Sequence, residues 1–327
     1  MHIRLTLWIL LLILVLLELA LGSVHLTVSE VLDVLMGKSD SAVNCDIVLQ
    51  SRLPRILTAI ASGAALSLSG LLIQTLFRNP LAGPSILGVT SGAALGTALV
   101  IMAGGTLIPH SLCLLGTSAG AILGGLMILA MVMWFSSRGG SDAVVLIFGM
   151  MTSLICGALV DIIIQQAHNQ DLRSYVQWGF GSFGQTGYAG NVMLWIALVI
   201  SLYVVISKAR SMDALLTGEM YAASMGVNVK STRMWVICAG GILAALVTAC
   251  CGPVAFIGLV TPYLTRALMK SSLHRKITFP AMLIGANSAL LCDLLSRMFA
   301  VPLNTVASLL GVPVVIGILF NQKNLNH

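Results

Sequence analysis

Long apolar runs recur along the whole chain and are separated by short polar connections. Most of them approach the ~20 residues that a helix needs to cross ~30 Å of hydrocarbon. The pattern therefore predicts an all-α polytopic membrane protein with about ten transmembrane helices. The expected spans are about 5–24, 56–76, 86–108, 112–135, 143–164, 191–207, 234–251, 254–269, 277–298 and 303–320. The eighth and tenth runs are short and interrupted by proline, so the count is open by one.

Composition excludes a soluble domain of this size. Of the 327 residues, 58% are hydrophobic and 9% are charged, and the mean hydropathy is +1.00. We expect one transmembrane domain over residues 1–327, with a first half at about 1–190, a polar cytoplasmic segment at about 208–233 and a second half at about 234–327. The first run is long for the core of a secretory signal, so we expect an uncleaved helix there.

Two stretches combine proline and glycine in a similar way, at 78–92 and at 252–262. Proline removes a backbone donor and disfavours the helical conformation in the residue before it, so both stretches are expected to break a helix. Paired broken segments in two halves are typical of a transporter's working centre. Two unrelated kinked helices are the alternative. A displacement by five spans reverses the direction of entry, so spans 2–5 and 7–10 would form inverted repeats.

Basic residues are distributed unequally between the two sides of the membrane. With an even number of spans, twelve of them fall on one side and five on the other. This asymmetry fits the positive-inside rule and places both termini in the cytoplasm. The cytoplasmic set is Arg4, Arg78, Arg138, Lys208, Arg210, Lys230, Arg233, Arg266, Lys270, Arg275, Lys276 and Lys323; the outer set is Lys38, Arg52, Arg55, Arg173 and Arg297. The net charge of +6 is not clustered, so no nucleic-acid partner is expected.

Few ionisable residues lie within the apolar runs. A carboxylate is costly in hydrocarbon, so Glu18 is expected to face protein or the membrane interface. Asp293 and Arg297 are four residues apart and can form an ion pair on one helix face. Arg52 and Arg55 stand on the outer side, where they either reach lipid phosphates or meet an acidic partner.

Small residues at helical spacing predict close packing between neighbouring helices. One set follows the first broken stretch and another lies in the next span. They are Gly88, Gly92 and Gly96, then Gly116, Gly120 and Gly124.

The longest cytoplasmic connection contains a short helix that is expected to end at Gly226. Glu219 is its first residue, and Met220, Tyr221 and Met225 make it apolar enough to indicate contact with a partner. A helix-in-groove contact with another protein is one interpretation. A surface linker that packs on its own bundle is the other.

Several motifs together resemble the permease subunits of type II ATP-binding-cassette (ABC) importers for iron–siderophore complexes, haem and cobalamin (vitamin B12). They occur in the family's order over nearly the whole chain. The matching stretches are Arg52-Leu-Pro-Arg55, Ser69-Gly70, Arg78-Asn-Pro-Leu-Ala82 with Pro84, Leu87-Gly88-Val89, Gly226-Val-Asn-Val229, Phe256-Ile-Gly-Leu-Val260 with Pro262 and Arg266, Asp293 with Arg297, and Gly311-Val-Pro313.

The resemblance implies a multi-pass subunit of the bacterial cytoplasmic (inner) membrane with no catalytic chemistry of its own. Two permeases, expected to be a homodimer, would sit on two ATP-binding subunits, and a substrate-binding protein would dock from outside. Carried over by position, the docking residues are Arg52, Arg55 and Arg297; the cytoplasmic gate residues are Asn79, Leu81, Ser141 and Asp142; and the ATPase-coupling residues are Glu219, Met220, Ala222, Met225 and Gly226. Iron–siderophore is the first expectation for the cargo, with cobalamin and haem as alternatives.

The chain departs from the family pattern near the outer mouth. Tyr263 stands where the family usually has histidine, and Ala300 and Asn304 replace the glutamate and glycine of a Glu-Leu-Pro-x-Gly motif.

Two other classes of function are alternatives to the one that this resemblance implies. A self-sufficient secondary transporter would normally carry ionisable residues in mid-span to bind its coupling ion, and Glu18 is the only clear one. An intramembrane enzyme would need a motif such as His-Glu-x-x-His, which the sequence lacks. Its six histidines are scattered, so no metal site and no cofactor are predicted.

Overall fold

The computed structural model describes residues 2–22, 24, 26–38, 41–107, 110–138 and 142–325, and over these ranges the chain forms helices joined by short turns, with no strand. The helices are α1 (His2–Ala20), α2 (Val28–Leu35), α3 (Ala42–Cys45), α4 (Leu53–Leu76), α5 (Val89–Leu107), α6 (His110–Ser137), α7 (Asp142–Gln165), α8 (Asn169–Gly179), α9 (Tyr188–Leu216), α10 (Glu219–Ser224), α11 (Val229–Cys251), α12 (Ile257–Met269), α13 (His274–Phe299) and α14 (Leu303–Leu325). A π-helical stretch at Asp46–Arg52 leads into α4.

A helix lies at each of the ten predicted span positions. Within the described residues, seven helical segments are long and apolar enough to cross a membrane; they contain α1, α4, α6, α7, α9, α11 and α13. The described apolar stretches of α5 and α14 are shorter, and α12 has 13 residues. The prediction of an α-helical polytopic membrane protein is confirmed, whereas the number ten stays a prediction.

Helix α4 forms the centre of the bundle, with nearly all of its side chains buried. It packs against α9, α11, α12 and α13. Glycine allows the closest approaches, because a Cβ on Gly63 would overlap the Gly285 carbonyl of α13, and one on Gly70 would overlap the Gly258 carbonyl of α12. Tight backbone packing of this kind holds helices together where lipid offers no hydrophobic driving force.

Helices α5 and α6 pack through the predicted glycine stripes. Gly92 faces Gly124, and Gly96 faces Gly120, so closely that a Cβ on any of the four would overlap the opposite backbone or its neighbours. The prediction was wrong for Gly88, which precedes α5 instead of lying within it. Gly88 ends a 3-10 turn with a φ of 76°. This value belongs to the left-handed region, where a residue with a side chain would be strained.

Both predicted helix breaks are present. Between α4 and α5 the chain passes through a 3-10 turn at Pro84–Leu87, and Arg78 has a φ of 47°. Between α11 and α12, Gly252 and Phe256 have φ values of 74° and 63°. We call residues 77–88 the first break and residues 252–256 the second break.

The second break is shorter than predicted, because Pro262 lies inside α12. Proline has no N–H, so it leaves the carbonyl of the residue four positions earlier, Gly258, without its helical donor. That carbonyl points at the Cα of Gly70 on α4. Weak Cα–H···O contacts are common at such helix crossings, so this carbonyl faces the backbone of α4 in place of its missing helical donor.

Candidate functional site

The three arginines predicted to dock a binding protein lie around one cavity of about 680 Å³. Residues at the carboxyl end of α1, the amino end of α4 and the carboxyl end of α13 line it, among them Arg52, Arg55 and Arg297. We call this site the arginine cavity.

Arg52 is only 5% exposed. Its guanidinium donates to the carbonyl of Ala20 at 3.1 Å and to those of Leu19 and Val24. The last carbonyls of a helix lack intrahelical donors, so Arg52 caps α1 within the chain. Arg52 is therefore engaged within the chain, and its contact with lipid or an outside partner stays a prediction.

Arg55 and Arg297 are paired with buried carboxylates. Arg55 binds both oxygens of Asp293, through Nε at 2.7 Å and Nη2 at 2.8 Å. Arg297 pairs with the carboxylate of Glu18, and its Nε lies 3.6 Å from Oδ2 of Asp293. The predicted Asp293–Arg297 pair is present, although Arg55 is the closer partner of Asp293. Glu18 is 1% exposed, which confirms that it faces protein.

A second group of charges lies beyond the other end of α4, and we call it the Asp142 cluster. Asp142 is the first residue of α7. Its Oδ2 accepts from Nη2 of Arg78 at 3.2 Å, and its Oδ1 accepts from Nη2 of Arg233 at 2.6 Å. The same nitrogen of Arg233 also pairs with Glu219. The cluster thereby joins the first break to the amino ends of α7, α10 and α11.

Two of the predicted gate residues lie in the first break beside this cluster. Oδ1 of Asn79 accepts from the backbone N–H of Leu81 at 2.9 Å, which fixes the turn locally. Asn79 is exposed and Leu81 is half-buried. The structure therefore brings Asn79 and Leu81 near Asp142 through Arg78, whereas Ser141 lies outside the described residues.

The predicted coupling residues form the short helix α10 and its end. Met220 is 90% exposed, and Tyr221 and Met225 are exposed as well. Gly226 has a φ of 80°, as the predicted helix end requires. Ala222 is fully buried against Ala214 and Leu215 of α9. This corrects the assignment of Ala222 to the partner-facing surface, because its role is to seat α10 on α9.

Arg233 is the residue that the sequence analysis missed, since it entered only as one of the cytoplasmic basic residues. Its partners lie 14 and 91 residues away. No helical spacing or motif links positions so far apart, so the pairing could be found only from the fold.

One of the three departures from the family pattern is explained by the contacts around the second break. Oδ1 of Asn304 accepts from the backbone N–H of Ala255 at 3.1 Å, and the N–H of Asn304 donates to Phe180. Ala300 occupies the left-handed end of α13 with a φ of 53°, an uncommon conformation for a residue other than glycine. Nothing in the structure explains the tyrosine at position 263.

The described residues contain no group of three or more His, Cys, Asp or Glu side chains placed to hold a metal ion. The charged groups at both ends are instead paired with one another. What the arrangement offers is two sets of ion pairs, at the two ends of helix α4.

Comparison with known families gives one match that covers most of the chain. Residues 10–321 match the FecCD transport family. The hemin transport system permease protein HmuU of Yersinia pestis is 34% identical over 326 residues, covering 98% of this chain and 96% of that protein. The molybdate import system permease protein MolB of Haemophilus influenzae is 32% identical, covering 96% and 94%. The vitamin B12 import system permease protein BtuC of Escherichia coli is 33% identical, covering 84% of each.

Solved structures agree with the family match. An inward-facing structure described as a metal-chelate type ABC transporter superposes with a TM-score of 0.85 at 31% identity, covering 98% of this chain and 99% of that one. The PsaBC structure from Streptococcus pneumoniae has a TM-score of 0.55 at 17% identity, a likeness of fold alone.

Proposed function

The chain belongs to the FecCD transport family of ABC importer permeases, and we propose that it carries an iron–siderophore complex across the bacterial inner membrane. As a permease it is a non-catalytic, multi-pass membrane component that works with ATP-binding and substrate-binding partners. Haem, cobalamin and molybdate are the alternative cargoes, because relatives at 32–34% identity are named for them. The chain is proposed to act as a homodimer.

The observation that best supports ATP-driven transport is the exposed surface of α10. Met220, Tyr221 and Met225 project from this short helix and are exposed. Flexible methionines suit adaptable protein contacts, and a helix presented in this way fits a groove on a partner. We assign this surface, together with Glu219 and Gly226, to contact with the ATP-binding subunit.

The orientation follows from the two charged sites. Helix α4 has 24 residues, so the arginine cavity and the Asp142 cluster are ~36 Å apart along it. The proposal places the Asp142 cluster, α10 and both termini in the cytoplasm and the arginine cavity outside. In this orientation Arg55 and Arg297 receive carboxylates of the binding protein, while Arg52 holds the end of α1 beside them. Asn79, Leu81, Ser141 and Asp142 form the cytoplasmic gate.

The division of the chain into two halves is part of the proposal. Helix α4 ends beside the Asp142 cluster, and helix α11 begins there through Arg233, so the chain enters the first break and the second break from opposite sides of the bundle. The two breaks then approach each other, because Pro84 of the first break lies against Gly258, two residues after the second break. This supports inverted repeats within a single domain, with a first half at about 1–190, a coupling segment at about 208–233 and a second half at about 234–327.

Reconstitution tests the proposal. The chain is placed in proteoliposomes with its ATP-binding subunit, and the binding protein is supplied outside with an iron–siderophore, haem, cobalamin or molybdate. We expect ATP-dependent uptake of the iron–siderophore, and no uptake by the chain alone. Preferred uptake of another cargo would make that cargo the substrate in place of the iron–siderophore. Uptake driven by an ion gradient without the ATPase would favour the secondary transporter and remove the proposal.

A further inference from the structure

We propose that Arg233 is the positioning residue that transmits movement of α10 to α7, by holding Glu219 and Asp142 on one guanidinium nitrogen. The inference rests on the proposed function, because it needs the ATP-binding subunit to act on α10. It adds to that function a specific connection between the coupling surface and the gate, made by a residue outside both.

The geometry of Arg233 suits this role. Its Nη2 lies 2.6 Å from Oδ1 of Asp142 and also pairs with Glu219. The guanidinium is itself carried by the first turns of α11, a helix that packs along α4, α6 and α9. A displacement of Glu219 therefore changes the position or the charge balance of the group that holds Asp142.

Burial makes the ion pair of Arg233 with Asp142 stronger than the neighbouring ion pair of Arg78 with Asp142. The side chain of Arg233 is 11% exposed, whereas that of Arg78, which also binds Asp142, is 43% exposed. Exposed ion pairs contribute little because water and salt screen them. Removing one partner of a buried pair leaves an uncompensated charge, so the pair of Arg233 with Asp142 resists separation. The side chain of Glu219 is 40% exposed, so the α10 arm is the more weakly held of the two.

The way in which α10 is attached leaves it free to respond. Its buried contact is a small one, Ala222 against Ala214 and Leu215 of α9. Beyond that patch, Glu219 ties its amino end to Arg233. Glycines with positive φ stand on both sides of the helix, at Gly218 and Gly226. A helix held this way can shift as a unit, and the ion pair then carries the shift to α7.

Charge-neutralising variants test the connection in the assembled transporter. Glu219→Gln removes the α10 arm, Asp142→Asn removes the α7 arm, and Arg233→Gln removes both. Each is expected to lower the substrate moved per ATP hydrolysed by at least about fivefold, the lower end of typical coupling strengths. Arg233→Lys should recover part of the loss, because both contacts use one nitrogen. The matched control is Lys230→Gln, an exposed basic residue one turn earlier on α11.

A double variant separates a connection in series from two independent contacts. If Arg233 links the two carboxylates, Glu219→Gln with Asp142→Asn should be no worse than the more severe single change, because residues acting as one unit are not additive. Losses that multiply would overturn the proposal. An unchanged ratio of substrate moved to ATP hydrolysed would also overturn it. So would failed assembly and a lower melting temperature in every variant, because Arg233 would then only hold the structure together. Absence of ATP-dependent uptake by the unmodified transporter would instead defeat the proposed function.

Discussion

Arg55 on α4 binds both carboxylate oxygens of Asp293 on α13, at 2.7 and 2.8 Å. Asp293 is buried, and Arg55 is half-buried at the rim of the arginine cavity. The pair therefore both fastens two central helices and occupies the guanidinium that the proposed function assigns to an outside carboxylate. Variants of the two residues should separate these roles.

Replacing Arg55 by Gln should leave the Asp293 carboxylate buried without its main partner. Breaking a buried pair from one side typically costs ~3–5 kcal/mol, so the melting temperature in detergent should fall, and binding-protein affinity should fall with it. Asp293→Asn should also lower the melting temperature, but it frees Arg55, so affinity should be kept or raised.

The exposed Arg173 on the same predicted side serves as the control for Arg55 and Asp293. Arg173→Gln should change neither quantity. If Asp293→Asn and Arg55→Gln lower affinity equally, the arginine acts only by holding the helices together, and its docking role is lost.

Adding one methyl group at Gly70 should disrupt the bundle. A Cβ there would overlap the Gly258 carbonyl of α12, and backbone cannot rotate away as a side chain can. Overpacking typically costs ~1–3 kcal/mol, so Gly70→Ala should lower the melting temperature and the yield of folded protein. Gly157 of α7 has open space around it, and Gly157→Ala should be neutral or mildly stabilising in the same assay. Equal stability of the two variants would contradict the close packing of α4 and α12.

Polar replacements on α10 should release the ATP-binding subunit and leave the fold intact. Met220 and Met225 are exposed, so Met220→Ser with Met225→Ser removes little packing within the chain. We expect the melting temperature of the isolated permease to stay unchanged while co-purification of the ATPase weakens at least tenfold, since hot-spot side chains typically cost ~2 kcal/mol or more. Met36, exposed at the end of α2, provides the control. An ATPase that stays bound would make α10 a linker.

The sequence was informative wherever a feature is local. Prolines at 80 and 84 predicted the first break, and glycines four apart predicted the α5–α6 contact, because backbone sterics decide both. The break predicted at Pro262 was wrong, because α12 continues through this proline. The carbonyl that the proline frees has a contact on α4, and only the tertiary structure shows that contact.

Charge pairing was not predictable in the same way. Arg55 and Asp293 are 238 residues apart, and so the sequence could place both near the outer surface without showing that they meet. Arg52 looked available for a partner, but the unpaired carbonyls at the end of α1 reach it first. The roles of the arginines therefore depended on which buried acceptors the fold brings to them.

Asn304 stands where the resemblance leads one to expect glycine, and its side chain holds the second break through the N–H of Ala255 at 3.1 Å. Asn304→Gly removes this acceptor but keeps the backbone bond from residue 304 to Phe180. Leaving the half-buried donor of Ala255 unsatisfied costs up to ~1–3 kcal/mol, so amide hydrogen exchange should rise at 254–256. Asn304→Asp keeps an acceptor and should retain protection, as should the control Asn169→Gly at the exposed start of α8. Equal exchange in the Gly and Asp variants would show that the backbone alone fixes this break.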